Sequence, residues 1–427
     1  MYKLMTAGPT QVRENVMLAR SRAFENPDTD ENFYDFYKET CEMISELLHT
    51  KSESLILGGE GILGLEAVCA TLTEKDDRVL VLDNGIFGEG FKDFVTMYGG
   101  NPILYTKEYD KPFNIEELEA FLKIDSNFKY ATLVHCDTPS GLLNDCNAIC
   151  NLLKSYNILT VVDAVSSMFG EYINMDDFGI DMLCGGSQKV ISAPPGLSIV
   201  TISEKAKQMI KERKTPIASF YANLSIFENY YETKWFPYTM PISDIYGLRT
   251  AIENIKHDKN ILKRHKELAK YVRESLVYMG LTLYLKDGFS STATAFNVPT
   301  GYTDNEIILE LKEKHNILIT GSFGCFKGKL LRIGHMGENA NKADIENLLK
   351  GLKEILNRWR NHNIKWKHYC FRVKLNVTPT PYNLGATVPP NFVWWLRLRR
   401  SYVRACATGI SSYRRLPLKF CFILNLE

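Results

Sequence analysis

Gly185-Gly186-Ser187-Gln188-Lys189, with Ala193-Pro194-Pro195-Gly196 just beyond it, is the stretch on which the reading of this chain turns. The apolar run Ile180 to Cys184 feeds into it and reads as a buried strand ending on a turn of small residues. Lysine is ordinarily a solvated surface residue. A lysine on a Gly/Ser turn at a strand end, its exit stiffened by Pro-Pro-Gly, is an amine held for chemistry, and the plainest such chemistry is a Schiff base. A second apolar run, Ile158-Leu159-Thr160-Val161-Val162, ends in Asp163 and continues as Ala164-Val165-Ser166-Ser167. Two neighbouring strand ends therefore offer one amine and one carboxylate.

Outward from this stretch, apolar runs alternate with amphipathic ones. They predict strands at Ser54–Leu57, Arg78–Leu82, Pro102–Tyr105, Tyr130–His135, Ile158–Val162, Ile180–Cys184 and Leu197–Ile202, with helices at Glu31–Leu48, Gly64–Leu72, Ile115–Leu122 and Ala148–Ser155. That alternation implies an α/β fold: a mostly parallel sheet of seven strands, helices on both faces, and ligands at the carboxyl ends of the strands. Lys189 and Asp163 fall at such ends. A long helical stretch, Asp244 to Met279, leads into a different texture. Thr303-Asp304-Asn305-Glu306 has capping-box spacing before a helix at Ile307–His315. Strands follow at Ile317–Thr320 and Lys329–Ile333, and then Ile345, Leu348, Leu349, Leu352, Ile355 and Leu356 recur at helical spacing. This is a smaller C-terminal α+β domain.

Of 427 residues, 45% are apolar and 24% charged, enough for one large core or two moderate ones. No segment approaches the ~18 uninterrupted apolar residues of a membrane span. Met1 to Thr10 lacks the apolar run of a signal peptide, so a cytoplasmic location without a membrane partner is expected. The 10 cysteines show no paired spacing, and Cys146-x-x-x-Cys150 stands alone, so neither a metal site nor a disulfide framework is indicated. The net charge of +1 conceals a split. Residues 358–427 carry 13 basic residues and one acid, a balance of +12, and four of the five tryptophans, whereas residues 1–357 balance at −11. Such a tail reads either as an arm for nucleic acid or acidic membrane, or as a segment appended to the domain and outside its fold. The second reading is preferred, and no nucleic-acid partner is expected.

Gly59-x-Gly61-x-x-Gly64 follows a strand and opens a helix, and Asp83 ends the next strand. Alone, this is a fair dinucleotide fingerprint. The same glycines can cradle a single phosphate monoester at a helix N-terminus. The nucleotide reading leaves Lys189 and Asp163 unexplained, whereas pyridoxal phosphate uses all three features. Its aldehyde condenses with an amine, its ring nitrogen stays protonated beside an anion so that the ring accepts electrons, and its phosphate needs a seat. Phe87, in Asn84-Gly85-Ile86-Phe87-Gly88, can stack on the ring or be an ordinary core residue. In His135-Cys136-Asp137-Thr138-Pro139-Ser140-Gly141, Thr138 can donate to the ring's phenolic oxygen. A thiol reading of Cys136 beside His135 is weak, because adjacent strand side chains point to opposite faces. Arg332, in Leu330-Leu331-Arg332-Ile333-Gly334, lies in an apolar strand and must find a partner: a substrate carboxylate gripped by its fork, or an internal ion pair. Arg22 and Arg249 are weaker alternatives for the clamp.

Taken in order, the phenylalanine motif at Phe87, the strand end at Asp163, the Gly-Ser-Gln-Lys189 turn with its Ala-Pro-Pro-Gly exit, and Leu-Arg332-Ile-Gly resemble the class-V, fold-type-I aminotransferases. The similarity is to the alanine:glyoxylate and serine:pyruvate branch and spans residues 4–357. It implies an N-terminal segment (1–14) packed on the small domain, a large pyridoxal phosphate domain (15–255), a small domain (256–357), and a tail (358–427) outside the family fold. It implies that Lys189 bonds the cofactor and shuttles the proton, and that Asp163 pairs with the pyridine nitrogen. Phe87 is implied to stack on the ring and Thr138 to serve its hydroxyl. Gly61, Ile62, Gln188 and Thr239 fall at the phosphate, and Arg332 and Gly8 at the substrate. It further implies a homodimer with shared active sites, Trp235-Phe236-Pro237-Tyr238-Thr239 reaching the neighbour's phosphate. Two departures stand out. Glu60 takes the place of a usual serine, putting an acid beside the phosphate. Phe236 replaces a phosphate-binding tyrosine, so that contact is missing or moves to Tyr238.

The implied reaction is reversible transamination from alanine or serine to glyoxylate or pyruvate. The nearest alternative is 2-aminoethylphosphonate:pyruvate transaminase, followed by an aspartate-using enzyme. A cysteine desulfurase is disfavoured, Cys325 being its one loop candidate. An NAD-dependent dehydrogenase resting on the glycines, and a nucleic-acid binder resting on the tail, complete the alternatives.

Overall fold

Short aliphatic and β-branched runs, each closed by glycine, aspartate or a polar turn, line up side by side as the central layer of the protein. The computed structural model describes residues 2–22 and 26–357. Its strands β1 (Glu53–Gly58), β2 (Arg78–Asp83), β3 (Asn101–Thr106), β4 (Tyr130–Val134), β5 (Leu159–Asp163), β6 (Met182–Gly186) and β7 (Leu197–Ile202) form one sheet in the order β1-β7-β6-β5-β4-β2-β3. β7 is antiparallel to both neighbours, and the remaining pairings are parallel. Every residue of β4, β5, β6 and β7 is buried, which is why these strands read as near-continuous apolar runs with small polar interruptions rather than alternating ones. Crossover helices such as Gly61–Leu72, Ile86–Met97, Ile115–Ile124 and Cys146–Ser155 cover the sheet. Asn114 and Asp145 start two of them by accepting the backbone N–H of Glu117 and Ala148.

This topology positions the site. β1, β2, β4, β5 and β6 run the same way, so the residues after Gly58, Asp83, Val134, Asp163 and Gly186 emerge at one edge of the sheet. The register fixes that edge, with Val134 opposite Asp163 and Asp163 opposite Cys184. Strand order reverses between β2 and β4, the switch point at which open α/β sheets bind ligands.

A second core, containing Val272, Leu276, Phe296, Leu331 and Leu348, belongs to a three-stranded antiparallel sheet: β8 (Ala293–Asn297), β9 (Thr320–Gly321) and β10 (Leu330–Gly334), ordered β8-β10-β9. Helices Ile261–Tyr278, Asp304–His315 and 342–357 pack on it. Met5 joins this core, and Lys3–Leu4 pairs in parallel with Ile317–Leu318.

Three local outcomes differ from the sequence pattern. The helical stretch Asp244–Met279 is two helices, Ile242–His257 and Ile261–Tyr278, broken where Asp258 ends the first and gives its carboxylate to Arg264. The predicted strand Ile317–Thr320 divides between two sheets. β8, Ala-Thr-Ala-Phe-Asn, has no apolar run to announce it and exists through its pairing with β10. The tail, residues 358–427, lies outside the described residues. Among the described residues no helix is long and apolar enough to cross a membrane, and no group of three His, Cys, Asp or Glu side chains could hold a metal ion.

Candidate active site

The loop from β6 to β7 is closed on itself: Ser187 N–H donates to Leu197 O at 3.0 Å, Ala193 N–H to Ser187 O at 2.9 Å, and Ser187 Oγ to Pro194 O at 2.7 Å. Lys189 is thereby held at the sheet edge on a fixed backbone. The N-terminal segment crosses it, Thr10 donating its N–H to Gln188 O at 3.1 Å and its hydroxyl to Lys189 O at 3.0 Å. Lys189 Nζ donates to Ala7 O at 2.6 Å. Burial and the nearby Arg332 charge bring its pKa down to about 8, against the opposite pull of Asp163 and Glu60.

Asp163 is 5% exposed and accepts the Val165 N–H at 2.8 Å. Burial raises its pKa to about 7, with the Val165 bond and the Lys189 charge pulling it back. The amine and the carboxylate thus sit close enough to bias one another. Gly8 (φ +98°) lies against the lysine side chain, where a Cβ would come within 2.5 Å of Cδ.

Arg332, on β10, is buried. Its Nε and one terminal nitrogen donate to Gly321 O at 3.0 and 2.8 Å, the other nitrogen reaches Thr138 O at 3.4 Å, and the guanidinium stands 5.4 Å from the Phe323 ring centre. None of its bonds among the described residues is to a carboxylate, so the alternative of an internal ion pair is not what holds it. Burial lowers its pKa to about 10. The Thr138 hydroxyl donates to Ser166 Oγ at 2.7 Å, and Phe87 meets Phe323 edge to face at 5.9 Å.

At the N-terminus of helix Gly61–Leu72, Glu60 is the cap. Its Oε2 accepts the Ile62 N–H at 3.0 Å, and its other oxygen accepts from Gln188 Nε2. Gly61 packs against Val165, where an added Cβ would meet the valine methyls at 3.1 Å. The expected phosphate residues Gly61, Ile62 and Gln188 therefore do converge. Thr239 is exposed, and its hydroxyl donates to Asp28 Oδ2 at 2.9 Å instead of to that cluster. Phe236 is a core ring stacked on Tyr34 at 4.6 Å.

Asp137 was not among the expected site residues, yet it is fully buried here. It accepts from Ser140 Oγ at 2.7 Å and from Phe87 N–H at 3.3 Å, and its charge acts on both Arg332 and Asp163. Burial raises its pKa to about 6. The spacing Asp137-x-x-Ser140 was the available signal, since an aspartate readily takes a nearby hydroxyl. Two alternatives lose ground. Asp83, the acid of the dinucleotide pattern, is buried with its Oδ2 bound to Thr106 Oγ1 at 2.9 Å. Burial raises the Cys136 pKa to about 12 and lowers that of His135 to about 4, so neither a thiolate nor an imidazolium is available there at neutral pH.

Comparison with known proteins covers most of the chain. The Aminotransferase class-V family matches residues 4–348. An uncharacterized aminotransferase of Methanocaldococcus jannaschii is 33% identical over 87% of this chain and 94% of its own length. The alanine–glyoxylate aminotransferase of Callithrix jacchus is 33% identical over 76% of this chain and 80% of its own. Among solved structures, a ureidoglycine–glyoxylate aminotransferase of Bacillus subtilis aligns with a TM-score of 0.81 at 29% identity, covering 84% of this chain and 93% of that one.

Proposed function

The chain belongs to the class-V aminotransferases, and on that premise we propose that it is a pyridoxal 5′-phosphate-dependent transaminase moving an amino group from alanine or serine to glyoxylate or pyruvate. Two of the relatives named above carry glyoxylate in their names, which supports a small 2-oxo acid as acceptor. Pyridoxal 5′-phosphate, when bound, supplies an aldehyde for an amine and a ring that draws electrons from the substrate α-carbon. The residues suit such a group: a helix N-terminus already engaged by an anion, a buried carboxylate, and a lysine whose amine donates, among the described residues, to a carbonyl.

Each side chain then has a task. With its pKa near 8, Lys189 keeps a neutral fraction at pH 7 to 8, so Nζ can take the α-proton of a substrate and give it back. Asp163 would supply the anion for the ring nitrogen, and Phe87 would stack on the ring. Thr138, whose hydroxyl here donates to Ser166, would turn it to the ring oxygen. Gly61, Ile62 and Gln188 offer donors to the phosphate. Arg332, whose side-chain hydrogen bonds among the described residues go to carbonyls, would grip a substrate carboxylate, with Gly8 lining the same space. The exposure of Trp235 and Thr239 supports a homodimer in which their segment completes the neighbour's site.

The observation that carries this reading is the meeting of Lys189 and Asp163 at one sheet edge. Its test is a screen of amino donors against glyoxylate and pyruvate with added cofactor, reading 2-oxo acid release and a yellow absorbance bleached by borohydride. Absence of product with every pair, or wild-type turnover in Lys189→Ala, overturns it.

A further inference from the structure

Three elements meet beside the helix Gly61–Leu72: its own first turn, the exit of β5 at Val165, and the exit of β6 at Gln188. A Cβ at Gly61 would crowd Val165 at 3.1 Å and reach Gln188 Nε2 at an ordinary contact distance of 3.7 Å, so the seat is tight around the glycine. Two donors at this seat, the Ile62 N–H and the Gln188 side-chain amide, are already engaged. Glu60 bends back so that one carboxylate oxygen accepts the Ile62 N–H at 3.0 Å and the other accepts from Gln188 Nε2. Gln188 is 4% exposed, and its Oε1 has no hydrogen-bond partner among the described residues, so its amide is turned toward the anion while its acceptor goes unsatisfied there. Glu60 itself is exposed and can swing into solvent.

We infer that Glu60 is a built-in competitor for the cofactor's phosphate, occupying the Ile62 and Gln188 donors until the phosphate displaces it. The inference rests on the pyridoxal phosphate reading. A phosphate dianion and the Glu60 carboxylate cannot both take the single Ile62 N–H, and they compete for the Gln188 amide. The like charges repel, and the helix N-terminus favours whichever anion is in place. Binding of the phosphate therefore includes expulsion of Glu60, and the chain holds its cofactor more loosely than an otherwise identical chain with a neutral residue at position 60. The cofactor becomes exchangeable, and ionic strength becomes a control on occupancy.

The test is equilibrium binding to apoprotein, read by absorbance and by quenching of intrinsic fluorescence, with pyridoxal 5′-phosphate and with pyridoxal, which lacks the phosphate. Glu60→Ser keeps a good helix cap and Glu60→Gln keeps the length without the charge. Both are expected to tighten pyridoxal 5′-phosphate by about tenfold, the worth of one hydrogen bond to a charged group, and to leave pyridoxal unchanged. Unchanged or weaker phosphate-ester binding in both variants overturns the inference, as does equal tightening of both aldehydes. A wild-type protein that takes up neither aldehyde overturns the cofactor reading and this inference with it. Uptake of the phosphate ester with the same affinity in all three proteins overturns this inference alone.

Discussion

Gly8 lies flat against Lys189: a Cβ built on Gly8 would stand 2.5 Å from Cδ and 2.6 Å from Nζ of the lysine. The N-terminal segment therefore shapes the space around the amine, and residue 8 must lack a side chain for two reasons, contact and a φ of +98°. Gly8→Ala is expected to lower stability by about 1–3 kcal/mol through backbone strain and to reduce the borohydride-sensitive chromophore. Urea unfolding and absorbance spectra check this. A variant with wild-type values in both would show that the segment moves freely off the lysine.

Lys189→Ala should reduce turnover by more than about 100-fold, the least that loss of a positioned base removes. The wild-type amine also has a pH signature. Its folded pKa of about 8 lies below the ordinary 10.5. The neutral fraction thus grows about tenfold per pH unit up to about 8 and then levels, and so should the rate of cofactor uptake by apoprotein. For stability the sign is opposite to a salt bridge. Between about 10.5 and 8 the unfolded chain takes a proton that folded Lys189 refuses, so stability falls as pH falls through that window and is level below it. Uptake that keeps accelerating to pH 10 would contradict the lowered value.

Asp163 is a carboxylate kept from water with one backbone N–H as its hydrogen-bond donor. Its pKa of about 7 means that apoprotein stability is lost as pH rises from the ordinary 3.8 to about 7, where the unfolded chain ionises and the folded one does not. Asp163→Asn keeps the shape and the Val165 bond. It is expected to stabilise the apoprotein by about 1–3 kcal/mol at pH 8 and to cut turnover by orders of magnitude. Melting curves of the two apoproteins at pH 5 and pH 8 decide it, since the gain should shrink at the lower pH.

Arg332→Lys removes a planar fork and leaves a point charge. KM for the 2-oxo acid should rise about 10- to 100-fold, the worth of one hydrogen bond to a charged group, with a smaller change in kcat. Steady-state kinetics with glyoxylate separates the two. A fall in kcat alone would place the arginine in a structural role, through its bonds to Gly321 and Thr138.

Most of the architecture was written in local pattern. Strands buried on both faces admit few polar residues, so β4, β5, β6 and β7 appear as largely apolar runs, interrupted by small residues such as Thr132, Thr160, Ser198 and Thr201, that end where the chemistry begins. β8 was illegible because its stability is supplied by β10, fewer than 40 residues away in sequence but paired through a register that no local period records. The helical stretch around Asp258 shows the same limit, since one cap against Arg264 outweighed an otherwise continuous apolar stripe.

Local residue pattern was enough to read the fold class and to place Lys189 and Asp163 at strand ends, because burial and turn chemistry constrain residue type position by position, and the order of four motifs carried the resemblance to the family. Tertiary structure alone decided that Asp137 shares the site, that Glu60 sits on the donors of Ile62 and Gln188, and that Gly8 faces Lys189. Those relations join residues up to 181 positions apart, and their charges and contacts exist only once the sheet edge brings them within a few ångströms.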